Sequence, residues 1–136
     1  SAGINVAANY IFGLPMDTAE SIKATLDFSM EHMAEMVNFY CAMAYPGSPL
    51  NLMAQKNGWE LPDSYIGYSQ HAYETQNLPN KNLTSEEILR FRDKAWMEYH
   101  TSPKYLALVG AKFGENARVN LEQTTKIKLK RRLLGD

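Results

Sequence analysis

The sequence of 136 residues predicts an α/β fold built around a strand–helix–strand unit. Residues 4–14 and residues 36–45 are near-continuous apolar runs ended by Gly or Pro, and apolar side chains recur with helical spacing between them. Long apolar runs of this kind are typical of strands buried on both faces, as in parallel sheets. We therefore expect two parallel strands joined by a crossover helix, followed by a mostly helical C-terminal part.

The first apolar run predicts a strand that ends in the turn Gly13-Leu14-Pro15. Asp17 is the predicted N-cap of the next helix, because Glu20 follows three residues later as in a capping box. The predicted apolar face of this helix comprises Ile22, Leu26, Met30 and Met33.

The second apolar run predicts a strand closed by Pro46-Gly47. Residues 58–83 then form a long loop rich in aromatic side chains, among them Tyr68 and Tyr73, with His71 between these two. Loops of this length inside a compact domain are usually functional or packed over something. The rings could line a substrate cavity or simply pack against helices.

Three helices are predicted in residues 84–136. The sequence from Thr84 to Glu87 is a capping box, and Ser102-Pro103 begins a helix that ends at Phe113-Gly114. The last predicted helix covers residues 117–134, with the basic stretch 126–132 as its solvated end.

A parallel sheet of two strands is too small to be stable in water, and an open strand edge promotes association. A whole (β/α) barrel needs about 200 residues or more, so this chain could be the closing part of one. We therefore interpret residues 3–57 as the C-terminal part of a partial TIM-like barrel, 58–83 as its aromatic-rich loop and 84–136 as a helical extension. Alternatively, the chain is complete and pairs its strands with another copy. Both interpretations predict that residues 4–14 and 36–45 are not exposed on both sides.

Composition excludes several classes of protein. Fourteen Lys and Arg against fifteen Asp and Glu give a net charge of −1, which argues against nucleic-acid binding. No run approaches the roughly 20 apolar residues that span a bilayer. Because Cys41 is the single cysteine, the chain cannot form an internal disulfide or a multi-thiolate metal site alone. We expect a cytoplasmic protein.

The candidate site lies where the two strands end. Strand ends in parallel sheets are common ligand sites, and free amide groups before a helix can bind a nucleotide or an anion. The corners at residues 11–18 and 45–48 would face the same rim, although each could be a plain turn that serves backbone geometry. The histidines have no metal-ligand spacing, and no catalytic set or phosphate-binding loop is recognisable.

Two strings carry a resemblance to a known family: NYIFGLPMDT at residues 9–18 and NFYCAMAYPGS at residues 38–48. Together they resemble the later strands of the radical S-adenosylmethionine enzyme core. The similarity is greatest to members with an upstream cobalamin-binding domain, such as the anaerobic magnesium-protoporphyrin ester cyclase group. The strings GW (58–59), YSQH (68–71) and LRFRD (89–93) resemble the segment that follows that core.

The resemblance implies that a first part of the protein is absent from this chain. In that family a CxxxCxxC loop holds a 4Fe-4S cluster, which S-adenosylmethionine completes, and some members also bind cobalamin. None of the three cysteines is present, since Cys41 stands within a predicted strand. The resemblance therefore implies a fragment, inactive alone, of a radical S-adenosylmethionine oxidoreductase or methyltransferase-like enzyme with a small-molecule substrate. As a fragment it is expected to form a homo-oligomer. Two rival hypotheses stay open: a non-catalytic oligomerisation module and a nucleotide-binding domain that acts alone.

The resemblance also implies roles for particular residues. The family pattern GxIxGxxE falls on residues 9–16, where Ile11 and Gly13 match while Asn9 and Met16 replace the first Gly and the Glu. Ile11 and Gly13 would contact the adenosine of S-adenosylmethionine. Cofactor contacts are likewise implied for Tyr45, Pro46 and Gly47. Substrate-side positions are implied for Tyr68, His71 and Tyr73.

Overall fold

The computed structural model describes residues 2–136. Strand β1 spans Ala7–Phe12, helix α1 Ala19–Glu31 and strand β2 Met36–Cys41. Further helices follow: α2 (Pro49–Asn57), α3 (Ser85–His100), α4 (Pro103–Phe113) and α5 (Glu115–Thr124), with short 3₁₀ turns at Tyr65–Tyr68 and Arg132–Leu134. The strands pair in parallel, with Ala7 opposite Met36 and Phe12 opposite Cys41. The predicted α/β class and parallel unit are confirmed, and the sheet of residues 2–136 is not a closed barrel.

Helix α1 begins with a different cap from the predicted one. Thr18 is the N-cap: its hydroxyl accepts a hydrogen bond from the Ser21 amide at 3.2 Å, and Ser21 Oγ accepts one from the Thr18 amide at 2.9 Å. The Asp17 carboxylate instead accepts hydrogen bonds from the amides of Gly13 (3.0 Å) and Leu14 (2.9 Å). The prediction of Asp17 as N-cap is wrong because this side chain turns back to the end of β1.

The hydrophobic core lies on one face of the sheet. Phe12 and Phe39 are fully buried and stack at 5.6 Å, and Phe91 of α3 meets Phe12 edge-on at 5.0 Å. The Tyr99 hydroxyl is hydrogen-bonded to both backbone groups of Ala34, which anchors α3 to the turn before β2. The helices complete the core with Ile22, Leu26, Ile88, Leu89, Ala95, Tyr105 and Val109.

The opposite face of the sheet is open. Ile11 and Met36 are each 47% exposed there, and the Asn38 side-chain amide donates to Asn9 Oδ1 at 2.9 Å. The expectation of burial on both faces therefore holds for one face only within residues 2–136. The burial alternates along each strand because a strand turns successive side chains to opposite faces.

The outer edge of β2 is closed by the chain itself. The hydrogen bonds to β1 use the even-numbered residues of β2, so Phe39 and Cys41 point their backbone groups to the other side. There the Gln70 side chain accepts from the Cys41 amide (2.9 Å) and donates to the Cys41 carbonyl (3.0 Å), as a neighbouring strand would. Arg92 Nε donates to the Phe39 carbonyl at 2.8 Å. No further strand can pair with this part of β2 unless these side chains move.

The outer edge of β1 is open. The same alternation directs the backbone groups of Ala7, Asn9 and Ile11 away from β2. They have no hydrogen-bond partner within residues 2–136. The predicted open edge therefore exists, but on one side of the sheet only.

The C-terminal segment departs from the prediction. Helix α5 ends at Thr124, and residues 127–131 have no regular secondary structure, so the predicted helix over 117–134 is wrong beyond residue 124. Arg131 is fully buried, and its guanidinium donates to both carboxylate oxygens of Asp93 (2.9 and 2.8 Å) and to the Ala72 carbonyl (3.0 Å). The irregular segment after α5 places Arg131 against Asp93 of α3. None of the helices in residues 2–136 is long and apolar enough to cross a bilayer.

Candidate functional site

The candidate site is the rim formed by the carboxyl ends of β1 and β2. Phe12 and Cys41 end their strands side by side because the register is parallel and unbroken. Gly13 directly follows β1, whereas β2 ends at Cys41, so residues 45–47 lie four to six residues beyond its end and the prediction of a strand through residue 45 is wrong.

At the β1 corner, the backbone amides that were predicted to be free for a ligand are hydrogen-bonded to nearby side chains. The Asp17 carboxylate takes those of Gly13 and Leu14, and Ser21 Oγ donates to its second oxygen at 2.7 Å. Asn80 Nδ2 donates to the Leu14 carbonyl at 2.8 Å. This corner is therefore a hydrogen-bonded turn, and an anion would have to displace the Asp17 carboxylate to reach the amides.

Gly13 has a packing role that the sequence did not reveal. Its φ is +83°, and a Cβ built on it would lie 2.8 Å from both Cδ1 and Cγ2 of Ile88. Both the backbone conformation and the close approach of α3 require glycine. Ile11, two residues earlier, points to the open face of the sheet.

At the β2 corner, an exposed aromatic pair meets free backbone groups. The rings of Tyr45 and Tyr68 stack at 5.7 Å, and Tyr45 is 51% exposed. The amides of Tyr45 and Gly47 donate to no acceptor within residues 2–136, whereas the Ser48 amide is bonded to the Tyr45 carbonyl. A flat exposed ring beside unpaired amides suits a planar, partly apolar ligand.

The structure does not bring all three substrate-side candidates together. Tyr68 lies at the rim with Tyr45, but the Tyr73 hydroxyl donates to the Asp136 carbonyl at 3.1 Å. His71 lines a cavity with α3 and the C-terminal segment. Loss of hydration, and then the charges of Arg92 and Arg131, lower the pKa of His71, which favours its neutral form.

Sequence reasoning missed the buried charges next to His71. Arg92 and Arg131 are 3% and 0% exposed, and both donate to Asp93. Arg131 lies within the basic stretch 126–132 that was predicted to be a solvated helix end. That prediction is wrong for Arg131, and nothing in the local sequence distinguishes it from Lys130, which is exposed.

Cys41 behaves as the sequence predicted. It is 2% exposed, and burial raises the pKa of its thiol to about 12, so the thiolate is absent at neutral pH. Among residues 2–136 there is no group of three or more His, Cys, Asp or Glu side chains that could hold a metal ion. These residues alone provide no metal centre.

Comparison with known proteins gives one relative. The chain is 28% identical over 104 residues to an uncharacterized methyltransferase of Pyrococcus horikoshii. The match covers 76% of this chain but 22% of the relative, so the chain spans about a fifth of that protein. No family model matches the chain. No solved structure matches it.

Proposed function

We propose that this chain is the C-terminal part of a radical S-adenosylmethionine methyltransferase-like enzyme, in which it provides the adenosine side and part of the substrate side of the active site. The observation that carries the proposal is the asymmetry of the sheet: β2 is sealed and β1 is open. The share of the relative that the match covers agrees with a longer parent.

The direction of the asymmetry matters. The side chains that seal β2, Gln70 and Arg92, come from later in the chain. The open edge belongs to β1, the earlier strand, so strands that precede it in a longer chain would add there. A sheet extended at β1 would continue towards the closed form of a (β/α) barrel.

The β2 corner is the proposed adenosine contact. The Tyr45 ring offers a flat apolar surface, and the amides of Tyr45 and Gly47 are available to ring nitrogens. Pro46 holds the turn between them. Ile11 and Gly13 would border the same cofactor from β1, and Tyr68 would face the substrate. The contacts of His71 and Tyr73 with the C-terminal segment give these two residues less support as substrate ligands.

The residues present do not fit an iron–sulfur cluster. Cys41 is buried and protonated, and a 4Fe-4S cluster needs several thiolates. In the proposal, the cluster, any cobalamin and the thiolate ligands belong to the absent N-terminal part. Residues 2–136 would bind and orient S-adenosylmethionine and exclude water from it.

The test is anaerobic reconstitution of the longer protein with iron and sulfide. We expect about four iron atoms per chain and formation of 5′-deoxyadenosine from S-adenosylmethionine under reducing conditions. Ala at the upstream cysteines should abolish both, and the chain of 136 residues alone should form neither. A longer protein without an upstream trio of cysteines, or without 5′-deoxyadenosine formation, would contradict the proposal.

The oligomerisation module remains the rival because the open β1 edge can also pair with a second copy. Both hypotheses allow this chain to form a homo-oligomer, so light scattering with Ile11→Lys, which adds a charge beside that edge where the side chain is already 47% exposed, tests whether the open edge mediates it. Leu52→Lys is the matched control, since Leu52 is 65% exposed on α2. A dimer that only Ile11→Lys dissociates, together with an inactive longer protein, would favour the module.

A further inference from the structure

A second site lies away from the rim. A cavity of about 760 Å³ separates α3 from the segment of residues 124–136. Its volume is within the range of small-molecule sites, roughly 300–1,000 Å³. Its walls are largely apolar and include Trp96, Met97, Ile127, Leu129 and Leu134. None of the residues proposed to bind adenosine lines this cavity, so it is separate from the rim.

The charges around the cavity are unbalanced. Its lining contains two carboxylates, Asp93 and Asp136, and five cationic side chains: Arg90, Arg92, Lys94, Lys126 and Lys128. Asp93 already accepts hydrogen bonds from Arg92 and from the buried guanidinium of Arg131. Lys128 approaches Asp136 at 3.4 Å. The cavity therefore has an excess of positive charge next to an apolar wall.

Arg92 is the cationic side chain of the cavity whose position is fixed by the fold. The residue is 3% exposed; its Nε donates to the Phe39 carbonyl and its Nη1 to Asp93 Oδ1. Its Nη2 has no acceptor within residues 2–136. This nitrogen is therefore accessible to solvent although the rest of the side chain is buried, and an anionic acceptor there would receive a charge-assisted hydrogen bond.

The position and protonation state of His71 are consistent with an anion site in this cavity. It lines the cavity, and the charges of Arg92 and Arg131 add to the loss of hydration in lowering its pKa. A neutral imidazole adds no further positive charge, and it can hydrogen-bond to a ligand through either ring nitrogen.

We propose that this cavity binds an amphipathic organic anion, a small molecule with an apolar body and one carboxylate or similar anionic group. The apolar body lies between Trp96 of α3 and Ile127 and Leu129 of the C-terminal segment. The anionic group meets Arg92, with Lys126 and Lys128 at the entrance. This site does not depend on the enzyme assignment, because it uses no residue of the rim.

The test uses two probes that differ in one charged group. 1-Anilinonaphthalene-8-sulfonate is an apolar anion, and N-phenyl-1-naphthylamine is the same molecule without the sulfonate. We expect the purified chain to bind the anion with one-to-one stoichiometry, measured by fluorescence titration. Ile127→Asp in the wall should raise its Kd about tenfold or more, equivalent to at least about 1.4 kcal/mol. The double variant Lys126→Glu, Lys128→Glu should weaken binding of the anion and leave binding of the uncharged probe unchanged.

Matched controls lie on α2. Ile127 and Leu52 are 67% and 65% exposed, so Leu52→Asp imposes the same substitution on an equally exposed side chain. Lys56→Glu controls for the charge reversals. All variants should unfold at about the wild-type temperature, because the changed side chains are exposed.

Three results would overturn the proposal. The first is no saturable binding of the anion, as expected if the cavity instead holds a protein segment. The second is an Ile127→Asp variant that weakens binding of the anion no more than Leu52→Asp does. That result would place the probe elsewhere, such as on the open face of the sheet. The third is equal binding of both probes with no effect of charge reversal, which would make the site purely apolar.

Discussion

At the scale of single residues, Gly13 illustrates how packing explains a motif that otherwise suggests a ligand site. The turn Gly13-Leu14-Pro15 stands where α/β proteins bind ligands. In the structure, however, Gly13 has a positive φ, gives its amide to Asp17 and lets Ile88 approach closely. The glycine is required by the fold whether or not a ligand also binds.

Gly13→Ala should therefore destabilise the chain by about 3 kcal/mol, combining the cost of a left-handed alanine with overpacking against Ile88. Gly58→Ala is the control, because Gly58 also has a positive φ (+66°) but open space around it. We expect about 1 kcal/mol there. Urea unfolding measures both, and equal losses would show that the Ile88 contact does not matter.

Glu35 couples stability to pH. Hydrogen bonds from the backbone amide of Val6 and from its own amide, and then the ammonium of Lys112 at 3.1 Å, lower the pKa of this carboxyl to about 2. Because the pKa of Glu35 is lower in the folded state than the unfolded value of about 4.3, its ionised carboxyl contributes fully to the free energy of unfolding above about pH 4.3. This contribution is lost as the pH falls towards 2.

Glu35→Gln should consequently reduce the acid sensitivity of the chain. The urea midpoint of the wild type should fall between pH 5 and pH 2.5 by more than that of the variant. Glu98→Gln is the matched control, since Glu98 makes no hydrogen bond or ion pair within residues 2–136. If the wild type and Glu35→Gln show the same fall, the ionised carboxyl does not stabilise the folded state.

At the scale of elements, the C-terminal segment is held by a buried charge network instead of a helix. One carboxylate, Asp93, serves both Arg92 and Arg131, and these link α3, the Phe39 carbonyl and the loop at Ala72. Burying these cations is costly unless the carboxylate is present.

Asp93→Asn should cost about 3–5 kcal/mol, because it leaves two buried guanidinium groups without a counter-charge. Asp27→Asn breaks the exposed pair with Lys23, whose side chain is 66% exposed, and should cost less than about 1 kcal/mol. Thermal unfolding compares the two variants. Similar losses for both would mean that the network does not hold the segment.

The elements that the sequence predicted well are those with local signals. The capping box at Thr84–Glu87 and the Ser102-Pro103 start define α3 and α4 as expected, and the apolar runs contain both strands. The end of α5 at Thr124 has no recognisable local signal, and the segment after it is positioned by contacts that are distant in sequence, such as the ion pair of Arg131 with Asp93, 38 residues away. The cap of α1 was missed for a similar reason, since Asp17 is drawn to the end of β1.

At the scale of the whole molecule, the sequence predicted the open sheet but not which edge is open. That depends on Gln70, whose amide group imitates a strand beside Cys41. Only part of the arrangement of the candidate site could be predicted from the sequence. Gly13 directly follows β1, and Tyr68 stacks on Tyr45 four residues beyond the end of β2, but loop folding carries His71 and Tyr73 to the C-terminal segment. Tertiary contacts of a long loop leave no periodic signal in the sequence.

The central claim is that β1 receives a further strand from an absent N-terminal part. Amide hydrogen exchange at Ala7, Asn9 and Ile11 tests it most directly, because these amides have no acceptor within residues 2–136. In the longer protein we expect them to exchange about 100-fold more slowly than in this chain alone, studied at a concentration at which light scattering shows a monomer. Equally fast exchange in both would contradict the claim, and so would equally strong protection in the isolated chain.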